Sequence, residues 1–116
     1  MAEWIRVCAT ADVEREDVVG AVANDVQMAI YRSGDDQYFA TDAYCTHEKA
    51  ALCEGLVTDG VIECPLHGGC FEYRSGRAVG PPALVDLKTF PVMVRDGYVH
   101  VCVDSEWESR TPRGRL

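Results

Sequence analysis

Two short segments, YCTHEK at residues 44–49 and ECPLHGGC at residues 63–70, interrupt a sequence that otherwise consists of strand-like runs. Each segment joins a cysteine to a histidine at close range, and sixteen residues separate the C-x-H half from the C-x-x-H half. The four residues are Cys45, His47, Cys64 and His67. Two thiolates and two imidazoles suit zinc or an iron–sulfur cluster, so the spacing predicts a metal site built from both segments.

The rest of the chain predicts an all-β fold, an antiparallel sandwich or barrel, because runs rich in Val, Ile, Tyr and Phe alternate with turn-forming pairs. The predicted strands are Trp4–Cys8, Val18–Ala23, Gln27–Arg32, Tyr38–Thr41, Val57–Asp59, Val61–Glu63, Phe71–Tyr73, Val85–Leu87, Val92–Arg95 and Tyr98–Val103. Asp96-Gly97 gives the strongest hairpin signal, since both residue types accept a positive φ. The polar segment Asp12–Asp17 predicts one helical turn near the N-terminus.

Length and charge narrow the possible functions. The 116 residues fit one domain. Three of the 11 basic residues follow residue 109, so residues 1–109 carry 8 basic and 19 acidic side chains, a charge of −11. This charge argues against nucleic acid and anionic membranes as partners. No apolar run approaches the ~20 residues of a membrane span and the N-terminus is charged, so we expect a cytoplasmic protein. We also expect a monomer. Residues 105–116 predict a mobile tail.

The choice between zinc and an iron–sulfur cluster depends on the tight spacing of Cys45 and His47. One intervening residue makes it awkward for both side chains to reach a single zinc ion. In a [2Fe–2S] cluster with two histidines on one iron, each loop gives its cysteine to one iron and its histidine to the other. The spacing favours the cluster and leaves zinc as the alternative. An iron–sulfur cluster absorbs visible light and zinc does not, so a colourless protein would indicate zinc.

The combined motif resembles the signature of the Rieske proteins, and all four ligand positions match. Over about residues 2–104 the chain is most similar to the free-standing Rieske ferredoxins of bacterial aromatic-ring-hydroxylating dioxygenase systems. The resemblance implies a Rieske domain over residues 1–104, with one [2Fe–2S] cluster in a small subdomain at about residues 43–83. The two cysteines would hold the inner iron and the two histidines the outer iron. Gly80-Pro81-Pro82-Ala83 matches a proline-containing loop that covers the cluster in the family, although an ordinary turn would look the same.

The same resemblance implies a function as a one-electron carrier. It would pass electrons from an NADH-dependent, flavin-containing ferredoxin reductase to a terminal Rieske oxygenase. An oxygenase itself would need a further iron held by two histidines and a carboxylate, and only His100 remains beyond the motif. A reductase would need a nucleotide-binding G-x-G-x-x-G, which is absent. The alternative is a Rieske-like small subunit of a larger redox enzyme such as nitrite reductase.

Several positions distinguish this chain from high-potential Rieske proteins. Those proteins bridge the two loops with a disulfide, where this chain has Ala50 and Leu66, and we expect Cys53 and Cys70 to be thiols. Their hydrogen-bond donors Ser and Tyr are replaced by Gly69 and Phe71, which predicts a reduction potential at the low end of the Rieske range.

His100 and Cys102 share one face of a predicted strand, and we interpret them as half-buried strand residues. The residues expected around an exposed tip are Glu48, Lys49, Leu66, Gly68, Pro81 and Pro82.

Overall fold

A computed structural model describes residues 3–46, 50–66, 68–81 and 85–103. Several of the expectations concern residues outside these ranges, namely His47, His67, Glu48, Lys49, Pro82, Ala83 and the tail at 105–116. The described residues form three antiparallel sheets and two short 3-10 helices, which confirms the all-β prediction. None of the helices among them is long and apolar enough to span a membrane.

The first two sheets form the base of the molecule. One has the strand order β1-β11-β10 and the other the order β2-β3-β4-β9. The strands of the base are β1 (Trp4–Ala9), β2 (Asp17–Ala23), β3 (Val26–Arg32), β4 (Tyr38–Asp42), β9 (Thr89–Phe90), β10 (Val92–Arg95) and β11 (Tyr98–Cys102). The two sheets pack face to face, because β3 and β11 bury side chains in a common core.

The third sheet is built from four short strands in the middle of the chain. Its strands are β5 (Leu56–Thr58), β6 (Val61–Glu63), β7 (Cys70–Glu72) and β8 (Arg77–Gly80), paired in this order. The short connection between β6 and β7 is the second cysteine segment, and β6 and β7 hold its two ends side by side.

Strand β3 separates two hydrophobic cores, which explains its unbroken apolar run. Successive side chains of a strand point to opposite faces, and all four residues from Met28 to Tyr31 are buried. Met28 and Ile30 face what we name the basal core, together with Val13, Ala23, Ala40, Phe90, Val99 and Val101. Ala29 and Tyr31 face what we name the cysteine core, together with Val18, Cys45, Ala50, Leu52, Val57, Ile62, Cys64, Phe71, Tyr73 and Leu87. The third sheet is thereby packed onto the back of the second.

The predicted strands are confirmed at nine of their ten places, with ends that shift by one residue or not at all. The Asp96-Gly97 hairpin is also confirmed, with φ values of 54° and 81° at its two turn residues. The prediction of a strand at Val85–Leu87 is wrong. This stretch instead forms a loop that lies against the start of β8, where the Leu87 N–H donates to the Gly76 carbonyl at 2.7 Å.

Three further differences concern two short strands and the helical turn. Strand β8 was not predicted, because it contains one β-branched residue; it forms because Ala78 pairs with Phe71 on β7. Strand β9 was not predicted either, and it forms through its pairing with β4. The helical turn lies at Thr10–Asp12 rather than Asp12–Asp17, where the Asp12 carboxylate accepts a 3.0 Å hydrogen bond from the Ala9 N–H.

Candidate metal centre

The ends of the two cysteine segments are paired in the same way. In the first, Tyr44 and Ala51 form a β-bridge, and the Cys45 N–H donates to the Ala50 carbonyl at 3.0 Å. In the second, Glu63 pairs with Cys70, and the Cys64 N–H donates to the Gly69 carbonyl at 2.7 Å. Each cysteine is therefore the first residue of a six-residue loop that is closed by its own N–H. The histidine follows two residues later in the first loop and three residues later in the second.

Both cysteines are buried in the same core. Cys45 is 4% exposed and Cys64 is 2% exposed, and both belong to the cysteine core with Ile62 and Phe71. A buried thiolate without a cation beside it carries a large desolvation cost. Two cysteines in matched loops, facing one core, fit a metal group that takes its sulfur ligands from the protein interior. The structure thus brings together the two predicted cysteines that it describes.

A third segment lies against both loops. The Thr46 hydroxyl of the first loop donates to the Val85 carbonyl at 2.6 Å. On the other side, Gly80 passes so close to Cys70 that a Cβ at residue 80 would lie 2.9 Å from the Cys70 Cβ. The connection after β8 therefore begins beside the second loop and ends beside the first. Of the proline-containing segment that the resemblance predicts over the cluster, Gly80 lies beside the second loop, while Pro82 and Ala83 lie outside the described residues. Sequence reasoning did not identify Thr46.

The second loop needs a glycine at its turn. Gly68 has a φ of +72°, a region that residues with a Cβ rarely adopt. Its carbonyl lies 3.4 Å from the Cys70 Sγ. Burial and the nearby Glu63 carboxylate raise the pKa of the Cys70 thiol, which keeps it protonated. Cys70 is therefore a structural residue at the foot of the loop.

The remaining cysteines and the third histidine lie elsewhere. Cys53 is exposed and lies beside Gly20, and the six cysteines form no disulfide among the described residues, so Cys53 and Cys70 are not clamped together. His100 lies on β11 opposite Arg6 and Met93, in the sheet that borders the basal core. Its Nδ1 is buried without a hydrogen-bond partner in the described part of the chain. The strand interpretation of His100 agrees with this position.

Comparison with known proteins identifies the family. Residues 3–91 match the Rieske [2Fe-2S] domain. The chain belongs to the Rieske [2Fe-2S] domain family. It carries one Rieske-type [2Fe–2S] cluster.

Rieske proteins of similar size are its relatives. The ferredoxin CarAc of Metapseudomonas resinovorans is 42% identical over 103 residues, which cover 84% of this chain and 92% of the relative. The ferredoxin component of the naphthalene 1,2-dioxygenase/salicylate 5-hydroxylase systems of a Ralstonia species is 37% identical over 93 residues, which cover 80% of this chain and 88% of the relative. These proteins are named as ferredoxins or ferredoxin components.

Solved structures agree with the fold. One chain in the complex of reduced oxygenase and oxidized ferredoxin in carbazole 1,9a-dioxygenase is 40% identical, with a TM-score of 0.77 over 84% of this chain and 91% of that chain. A structure described as a nitrite reductase small subunit from Mycobacterium tuberculosis has a TM-score of 0.80 over 90% of this chain and 97% of that chain, at 21% identity. The second similarity shows a shared fold alone.

Proposed function

We propose that this protein carries single electrons from an NADH-dependent, flavin-containing ferredoxin reductase to the terminal oxygenase of an aromatic-ring-hydroxylating dioxygenase system. The protein is an electron-transfer component and not a catalytic subunit. The observation that carries the proposal is the pair of matched loops whose buried cysteines share one core. Its relatives are ferredoxins or ferredoxin components of comparable length, and a similar ferredoxin is in complex with oxygenase in a solved structure.

The proposed ligands are Cys45 and Cys64 on the inner iron and His47 and His67 on the outer iron. Burial of both cysteines supports their assignment to the inner iron, because both residues lie in the protein interior. When bound, the cluster supplies one reversible one-electron couple, with every terminal iron position filled by a side chain. The chain's own residues hold this group, set its depth below the surface and leave no position for a substrate.

The surface around the loops supports brief docking. Leu66, Pro81 and Val85 are exposed on the loops and on the segment that lies against them. Small apolar contacts of this kind are typical of electron-transfer complexes, whose interfaces bury less than ~1,200 Å². Both partners would use this one surface in turn, and the acidic surroundings would steer a basic partner more than they hold it.

The remaining proposals concern organisation. We place the Rieske domain at residues 1–104 and its cluster-binding subdomain at about residues 43–83, with residues 105–116 as a tail. The third sheet and both loops fall inside this subdomain, which supports the division. A monomer in the cytoplasm is the expected state, because a shuttle must leave one partner to reach the next and NADH-dependent reduction takes place there.

The test is a reconstituted electron transfer. The dithionite-reduced protein, freed of dithionite, is mixed anaerobically with an oxidised terminal oxygenase of a carbazole or naphthalene system in a stopped-flow instrument. We expect reoxidation with one electron delivered per chain. Failure of such oxygenases to reoxidise a protein with an intact cluster spectrum would contradict the proposal.

A matched pair of variants separates docking from general damage. Val85 beside the loops and Val94 on β10 are similarly exposed, at 55% and 47%. Val85→Asp should slow the second-order transfer rate by about tenfold, which corresponds to about 1.4 kcal/mol, while Val94→Asp should leave it unchanged. Equal rates for the two variants would place the docking surface elsewhere.

A further inference from the structure

The carboxylate of Glu63 lies against the second cysteine loop. Glu63 is the last residue of β6, and Cys64 follows it directly. A Cβ at Gly68 would lie 3.3 Å from the Glu63 Oε2, and Gly68 is the residue that follows His67 in the chain. Glu63 is therefore the neighbour in sequence of one proposed ligand, and its carboxylate lies beside the residue that follows the other.

The main chain of Glu63 is held on three sides. Glu63 pairs with Leu56 on β5 and with Cys70 on β7. Gly55 packs so closely on this strand end that a Cβ at residue 55 would clash with the Glu63 carbonyl oxygen, so the contact needs a glycine. The point from which the Glu63 side chain extends is therefore set by the sheet, at a fixed place beside the loop.

The Glu63 side chain projects to the outer face of the third sheet. Ile62 before it is fully buried in the cysteine core, and successive side chains of a strand point to opposite faces. Glu63 is accordingly exposed, and Cys70, which lies directly opposite it, projects to the same face. Burial and then the Glu63 charge raise the pKa of the Cys70 thiol, so the field of this carboxylate reaches a sulfur at the foot of the loop.

The charge of Glu63 is not cancelled by a cation in the part of the chain that the structure describes. The ion pairs found there join Arg15 and Arg32 to Asp36, in the base. A carboxylate in an ion pair has a weak field at a distance, because the cation offsets it. Glu63 therefore acts on its surroundings as a single negative charge, weakened by water because the side chain is exposed.

We propose that Glu63 lowers the reduction potential of the cluster that the two loops hold. Reduction adds one negative charge to the cluster, and a carboxylate beside the second loop opposes that charge, so the oxidised state is favoured. This contribution is electrostatic and adds to the loss of hydrogen-bond donors at Gly69 and Phe71. A lower potential favours delivery of the electron to the oxygenase. The proposal rests on the proposed ligands Cys64 and His67, whose alanine variants test them separately through the visible spectrum.

Voltammetry of the cluster-loaded protein at one fixed pH tests the proposal. Glu63→Gln should make reduction about threefold more favourable, an upward shift of about 28 mV at 59 mV per tenfold change. Glu63→Lys reverses the charge and should shift the potential about twice as far, whereas Glu63→Asp keeps the charge and should shift it least. A role of Glu63 in shape alone would not give shifts in the order of charge. The shift in Glu63→Gln should also shrink at ~1 M salt, where the Debye length is about 3 Å.

Glu72 provides the matched control on the same face of the third sheet. It lies on β7 two residues beyond Cys70, and therefore about 7 Å further from the loop. Its carboxylate accepts a 2.6 Å hydrogen bond from the Ser75 hydroxyl. The added distance is close to the Debye length of about 8 Å at ~0.15 M, so Glu72→Gln should shift the potential by less than about a third of the shift in Glu63→Gln.

Three results would overturn the proposal. They are a Glu63→Gln potential at or below that of the parent, an equal shift in Glu72→Gln, and a Glu63→Lys shift no larger than that of Glu63→Gln. The visible spectrum of each variant shows that its cluster is intact. Should Glu63→Gln lose its cluster, Glu63→Ser makes the same comparison between a charged and a neutral side chain.

Discussion

A tyrosine at position 71 would add one hydroxyl group to the core that contains both cysteines. Phe71 is fully buried there. It lies on β7 opposite Ile62, two residues before Cys64 on the neighbouring strand. Since Phe71 shares this core with Cys45 and Cys64, we expect the new hydroxyl to lie near the proposed sulfur ligands. Donation to a sulfur would stabilise the reduced cluster, which carries one more negative charge, over the oxidised cluster.

The expected shift follows from the strength of such a bond. A hydrogen bond to a charged group contributes about 1.5–3 kcal/mol. If a third to a half of this differs between the oxidation states, the reduced form gains roughly 0.5–1.5 kcal/mol. For a one-electron couple, where a tenfold change corresponds to about 59 mV, this raises the potential by roughly 20–65 mV.

Voltammetry measures the potential of Phe71→Tyr, and denaturant unfolding measures its stability. Phe90→Tyr is the matched control, because Phe90 is 4% exposed but lies in the basal core. We expect Phe71→Tyr to raise the potential and Phe90→Tyr to leave it unchanged. If the new hydroxyl found no acceptor, stability would fall by about 1–3 kcal/mol with no rise in potential. A Phe71→Tyr potential at or below that of the parent, with the spectrum intact, would refute the reasoning.

Four further outcomes are expected. Alanine at any of the four proposed ligands should give a colourless or unstable protein because ligation also stabilises the loops, whereas His100→Ala should keep its visible spectrum; loss of colour in that variant would overturn the ligand set. Reduction by a basic partner should slow as ionic strength rises from ~0.01 to ~0.15 M, since the Debye length falls from about 30 to about 8 Å; a rate independent of salt would exclude steering. Thr46→Val should speed cluster loss to a chelator, followed by visible absorbance, because it removes a bond of about 1 kcal/mol, and Thr58→Val on β5 should not. The hydrogen bond from Arg15, followed by that from Arg32, lowers the pKa of Asp36. Its ion pairs therefore stabilise the fold in full above the unfolded pKa of about 3.9, and this stabilisation declines as pH falls from there through the lowered folded pKa. Asp36→Asn should lower the thermal midpoint at pH 7, and by a progressively smaller amount as pH falls below about 3.9.

The strands that the sequence predicts are those whose own residues show the pattern of burial. The run from Met28 to Tyr31 is apolar at every position, as a strand between two cores requires. The strand at Arg77–Gly80 was not visible, because pairing with β7 forms it and its own residues have little strand propensity. The apolar residues of Val85–Leu87 predict a strand, but Leu87 is a core residue in a loop.

The residues of the candidate site also differ in whether the sequence alone identifies them. Cys45 and Cys64 could be found because each lies within three residues of a histidine, a signal that is local in sequence. The bond from Thr46 to Val85 joins residues 39 positions apart and has no local signal.

Pulsed EPR of the dithionite-reduced protein, prepared with ¹⁵N-histidine, tests the central claim most directly. A Rieske cluster held by His47 and His67 should show a low average g and hyperfine couplings to two histidine nitrogens. The same two couplings should persist in His100→Ala. An all-cysteine spectrum without histidine nitrogens, or a coupling that disappears in His100→Ala, would contradict the account.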